Sequence, residues 1–145
     1  MKKSIILVIC SVIILIFTGC NDGSKVNQQN KWDCSVFCAE ESTPDEYVIT
    51  YSDEKVTSQV GTLTFENGND FAIKVYLTSS GAEVCDEENP DEAEHVMEIP
   101  AGGVYSLKQI KKDIIYIVGI HADVHENTEI KLMVYDGAQT KVNVS

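Results

Sequence analysis

Cysteines, histidines and a crowd of carboxylates are the residues of this chain equipped for chemistry. Five cysteines stand at positions 10, 20, 34, 38 and 85, and three histidines at 95, 121 and 125. Cys34 and Cys38 are separated by about 13 Å on a strand, beyond bridging distance, but by about 6 Å on a helix. His121 and His125 repeat that spacing. On a helix both imidazoles would address one metal ion; on a strand they reach one ion only if the chain turns sharply at Asp123-Val124. Cys34, Cys38, His121 and His125 are therefore the candidate metal ligands, with solvated loop histidines and inert thiols as the simpler expectation. His95 stands alone after an acidic run.

The segment Glu83 to Glu94 carries seven carboxylates and no basic residue. Mutual repulsion and Pro90 predict a solvated loop. Oxygen ligands are what calcium takes, yet the Asp/Asn/Gly spacing of the EF-hand loop is absent. Nothing separates a catalytic carboxylate pair from this crowd. Gly-x-Ser-x-Gly is missing, and Pro100-Ala101-Gly102-Gly103 lacks the lysine of a phosphate loop, so a tight turn is its plainer use. The six tyrosines could form a sugar-binding platform, but alternation places Tyr76, Tyr116 and Tyr135 in strands, where cross-strand packing accounts for them. The expectation is a protein that is not an enzyme and uses no cofactor.

The elements that must position these groups are strands. Phe71, Ile73, Val75 and Leu77 share one face while Lys74 and Thr78 take the other, the pattern of a half-buried strand. Asn67-Gly68 just before it favours a tight hairpin to Val60–Phe65. Similar segments are Tyr47–Tyr51, Val96–Ile99, Val104–Ile110, Ile114–Ala122, Ile130–Tyr135 and Thr140–Val144, with Asp136-Gly137 turning the last two. Ile114–Ile120 is apolar on both faces and predicts a central strand. Trp32 to Glu41 reads equally as a helical turn or an extended arm. Short strands without an amphipathic helix predict an all-β fold, an antiparallel, immunoglobulin-like β-sandwich of about eight strands, with a small β-barrel as the alternative.

The remaining signal lies at the N-terminus. Lys2 and Lys3 precede an apolar run from Ile5 to Phe17, which is shorter than the roughly 20 residues a membrane span needs. The run ends at Phe17-Thr18-Gly19-Cys20, which resembles the lipobox of bacterial lipoproteins over the first twenty residues, with phenylalanine where that family usually has leucine. The resemblance implies that residues 1–19 are a signal peptide removed on export and that Cys20 becomes a lipidated N-terminus. Residues 20–45 then comprise the lipidated cysteine, a polar linker and the arm, and 46–145 the sandwich domain. The linker's eleven residues, 21–31, have a root-mean-square reach of roughly 20 Å. Of the cysteines left outside the membrane, Cys38 with Cys85 is the favoured disulfide and Cys34 with Cys85 the alternative. Cys-x-x-x-Cys also resembles the copper motif of membrane-anchored copper chaperones, whose α/β fold this sequence does not predict.

Charge bounds the partners. The chain contains 11 lysines, no arginine and 23 acids, a formal net charge of -12. Loss of Lys2 and Lys3 leaves 9 lysines against 23 acids, or -14. Such a surface repels nucleic acid and anionic headgroups alike, so attachment to the membrane falls to the lipid. The expectation is a lipid-anchored protein on the outer face of the bacterial cell membrane, meeting a protein or small ligand of the envelope. A metal-handling or thiol-redox lipoprotein is the alternative.

Overall fold

The computed structural model describes residues 29–42, 47–80 and 93–139. The lipobox with Cys20, Cys85 with either of its pairings, most of the acidic segment 83–94 and the strand expected at Thr140–Val144 lie outside the described residues. The described residues form ten strands: β1 (Lys31–Asp33), β2 (Val36–Cys38), β3 (Thr50–Thr57), β4 (Thr62–Asn67), β5 (Ile73–Ser79), β6 (His95–Ile99), β7 (Val104–Lys108), β8 (Ile115–His121), β9 (Thr128–Ile130) and β10 (Leu132–Asp136). All pairings are antiparallel.

Two four-stranded sheets, ordered β1-β10-β4-β7 and β3-β8-β5-β6, are joined by a short β2-β9 ribbon. The fold is the expected antiparallel β-sandwich, and none of its sheets closes into a barrel. The arm at 32–41 is extended, forming β1 and β2. Asp33 lies opposite Met133 and Val36 opposite Ile130, so β1-β2 and β9-β10 form one ladder with a single register. A Cys34 N–H to Leu132 carbonyl bond of 2.8 Å bridges its break. The ten segments therefore occupy eight strand positions. Their order, with only β5 and β6 consecutive within one four-stranded sheet, is that of a jelly roll rather than the four-plus-three arrangement of an immunoglobulin constant domain.

The hairpin expected at Asn67-Gly68 is not formed. β4 and β5 lie in opposite sheets, with β4 between β10 and β7, and β5 between β8 and β6. The reason is Asn67 itself, whose side chain is buried instead of facing solvent in a turn. Its Nδ2 donates to the carbonyls of Phe71, Ile99 and Pro100 at 2.9, 3.1 and 3.0 Å, and its Oδ1 accepts from Asn69 N at 3.0 Å. A buried amide that takes carbonyls from the next strand's approach and from the end of β6 makes a corner between sheets.

Alternation builds the core. Leu63, Phe65, Leu132 and Val134 from one sheet meet Val75, Leu77, Val118, Ile120 and Ile99 from the other, all buried. β8 is central, as its apolar faces predict, lying between β3 and β5. At the far end Asp136 is buried and accepts from Ser58 Oγ at 2.8 Å and from Gln59 N at 3.1 Å, tying the β3 to β4 crossover to β10.

Cys34 and Cys38 are buried with free thiols. Cys38 Sγ donates to the Glu40 carbonyl at 3.3 Å. The Cys34 thiol is pushed up to about 12, first by burial, with a hydrogen bond to Ser52 working against it and the nearby Glu54 and Asp33 carboxylates adding to it. Its neutral form thus favours the folded state most below the ordinary thiol value, and that contribution is lost as pH rises toward 12. Iodoacetamide at pH 9 under reducing conditions is expected to leave Cys34 unmodified in the folded protein and to label it in urea, as read by peptide mass spectrometry.

Candidate functional site: a groove on the outer face of one sheet

The same alternation that sends Ile73, Val75 and Leu77 inward turns Lys74, Tyr76 and Thr78 to the outer face of the β3-β8-β5-β6 sheet. Register then aligns side chains across strands. Glu98 lies opposite Lys74 and Lys74 opposite His121, giving a row of carboxylate, ammonium and imidazole on β6, β5 and β8. The adjacent row runs Val96, Tyr76, Gly119, Tyr51.

Gly119 explains how this face gains depth. A Cβ there would lie 2.8 Å from Ile49 Cγ2 and 2.9 Å from Tyr51 Cε1. Without a side chain at that point, residues 47–49 fold down onto the sheet. Ile49 and Tyr76 become buried in a second, small apolar cluster with Tyr47, Tyr51 and Ala93 packed against it. Gly119→Ala is expected to cost about 1–3 kcal/mol by overpacking, because β8 and the backbone before β3 would have to move apart. Thermal unfolding of the variant checks this, and a midpoint unchanged from the parent chain would show that the close approach is not needed.

The Tyr47 hydroxyl is hydrogen-bonded to that of Tyr76. The Tyr47 ring stacks on His121 with centroids 3.6 Å apart and planes 19° from parallel. His121 is buried, with Nδ1 2.9 Å from the Val48 carbonyl. A carbonyl only accepts, so Nδ1 carries the proton and Nε2 is left to face Asp123 Oδ1 at 3.4 Å. These groups line a groove of about 220 Å³ bounded by Tyr47, Lys74, Glu98, His121 and Asp123 together with Ala72, Ile73 and Ala122. Among the described residues the close contacts of carboxylates with basic groups are His121–Asp123 and His125–Glu41, ion pairs when the imidazole is protonated, so Lys74 has no carboxylate partner in ion-pair range although Glu98 is its register neighbour. The groove thus offers an uncommitted cation, two exposed carboxylates and a half-buried aromatic ring on a rigid sheet.

A second groove, of about 370 Å³, lies on the opposite sheet and is lined by Asp33, Glu66, Glu129, Lys131, Met133 and Tyr135 among others. Tyr135 OH donates to Glu66 Oε2 at 3.1 Å, and burial followed by that carboxylate raises its phenol above the usual range. The Ser35 hydroxyl and amide hold Asp33 below the ordinary carboxylate value. Three of the eight residues lining this second groove are acidic, and Tyr135 is the one aromatic side chain among them.

Of the candidates read from the sequence, His121 alone lies on the first groove. His125 is exposed and meets Glu41 at 2.8 Å, while Cys34 and Cys38 are in the core. Among the described residues no group of three or more His, Cys, Asp and Glu side chains is placed to hold a metal ion. His95 sits on β6 with its ring 6.3 Å from that of Tyr116. Tyr116 is fully buried, and its hydroxyl has no hydrogen-bond partner among the described residues. Tyr47, Lys74, Glu98 and Asp123 were not singled out as site residues by sequence; the outward position of Lys74 was its one visible signal.

No family model matches the sequence, and no curated protein matches it. A solved structure described as "Crystal structure of PirA" aligns with a TM-score of 0.40 at 11% identity, covering 80% of this chain and 98% of that one.

Proposed function

We propose that this chain is a lipid-anchored, extracytoplasmic bacterial lipoprotein whose sandwich is a non-catalytic binding module, held at the outer face of the cell membrane through Cys20. One observation carries the anchor: Lys2-Lys3, the apolar run Ile5 to Phe17 and Thr18-Gly19-Cys20 follow in the order of an export signal closed by a lipidation site. The polar stretch after Cys20 leads to β1 at Lys31, giving the domain a short tether.

The groove supports recognition as the domain's task. Register sets the order of its polar groups across the sheet, and the Tyr47–His121 stack fixes its aromatic wall, so that wall loses little side-chain freedom when a ligand docks. The alternative, thiol-redox or metal handling through Cys34, Cys38 and the histidines, needs an accessible thiolate, and burial keeps the Cys34 thiol protonated at neutral pH.

The test is capture from the native cell envelope with the full chain as bait, beside a Lys74→Ala variant. Envelope material retained by the parent chain and lost by the variant is the expected outcome. Equal retention by both would remove the groove from the account.

A further inference from the structure

Resting on the reading of this face as a recognition surface, we propose that the groove beside Tyr47 and His121 binds one neutral saccharide ring. The chemistry of the row selects that class. A sugar hydroxyl both donates and accepts, and the groove presents acceptors in Glu98 and Asp123 and a donor in Lys74. Asp123 has a side chain 94% exposed, and Lys74 is not committed to an ion pair among the described residues. Lys74 is therefore available to a hydroxyl group without first breaking an ion pair, and Asp123, whose carboxylate lies 3.4 Å from His121 Nε2, keeps most of its surface open to a ligand.

The aromatic wall supplies the other half of the match. Tyr47 is half-buried, fixed by its stack on His121 and by the Tyr76 hydroxyl, and offers apolar ring surface to the C–H face of a pyranose. Charge argues against the rival classes. An anionic ligand approaches a protein with a formal net charge of -12 and meets two carboxylates at the groove. A cationic ligand is drawn by that field but finds Lys74 in the middle of the row. A neutral polyol meets neither penalty. The volume, about 220 Å³, lies below the roughly 300–1,000 Å³ of pockets that enclose drug-sized ligands, which limits the occupant to a single ring with its neighbours in solvent.

The experiment uses the full chain in a zwitterionic, sugar-free detergent, titrated with glucose, galactose, mannose, N-acetylglucosamine, glucuronate and glucosamine. Aromatic and amide NMR shifts are followed throughout. At least one neutral sugar is expected to move the Tyr47 and His121 signals saturably, with a Kd of about 1 mM or tighter. Lys74→Ala and Asp123→Asn are expected to weaken that binding about tenfold each while leaving the thermal midpoint near that of the parent, since each removes a charge-assisted hydrogen bond to the ligand. No response at Tyr47 and His121 to any neutral sugar overturns the proposal, as does tighter binding of glucuronate or glucosamine than of the neutral sugars. Envelope capture that depends on Lys74 would survive either failure, so the ligand class and the recognition role fail separately.

Discussion

Asn67→Ala is expected to lower the stability of the domain by about 3 kcal/mol, a shift of about 10 °C in the thermal midpoint. The wild-type side chain is 1% exposed and donates to three carbonyls, those of Phe71, Ile99 and Pro100. Alanine removes the amide that all three share; the Pro100 carbonyl keeps its 2.8 Å bond from Gly103 N, while those of Phe71 and Ile99 lose this donor, and a buried acceptor left unpaired costs about 1–3 kcal/mol. Asp is no remedy, because it replaces the donating amide by an acceptor opposite acceptors. The effect reaches the groove: Phe71 leads into β5, which carries Lys74, and Ile99 ends β6, which carries Glu98. Chemical denaturation of the variant checks the magnitude, and a loss below 1 kcal/mol would mean that the corner is held by other contacts.

Cys20→Ala is expected to have the largest effect on location, shifting the protein wholly out of the detergent-extractable membrane fraction. Each buried methylene of an acyl chain contributes about 0.8 kcal/mol, so two chains hold a small domain at a bilayer through many turnovers of the cell's soluble contents. On the proposed processing, 9 lysines against 23 acids oppose adsorption to anionic lipid. Cell fractionation and immunoblotting of the variant read the outcome. Retention of the alanine variant at the membrane at parent levels would point to an uncleaved N-terminal segment as the anchor.

The strands were legible where alternation is clean. Ile73 to Leu77 declares an inward face by period two and lies in β5, where Ile73, Val75 and Leu77 are buried; Ile115 to Ile120, apolar on both faces, lies in the central β8. Pairing was not legible. Asn67-Gly68 has the composition of a hairpin turn, but whether an asparagine faces solvent or takes three carbonyls depends on where Ile99 and Pro100 arrive, more than thirty residues later. The arm was undecided because Trp32, Val36 and Phe37 carry no period of their own; it becomes extended by adding to β10 and β9.

The site divides in the same way. His121 stood out for its spacing from His125, and Lys74 as an outward residue of its strand. Their alignment with Glu98 needs the register of three strands, which no local pattern encodes. Gly119 carries no local signal of its purpose, which appears only once Ile49 and Tyr51 are seen to press on it. Tyr47 was expected inside a strand; the strand instead begins at Thr50, freeing Tyr47 to stack on the imidazole.

The anchor is tested most directly by intact-mass and N-terminal peptide analysis of the protein extracted from its native membrane. The account predicts a chain that starts at Cys20 and carries a diacylglyceryl thioether on its sulfur. A chain that keeps Met1, or one that starts at Cys20 with an unmodified thiol, would contradict it.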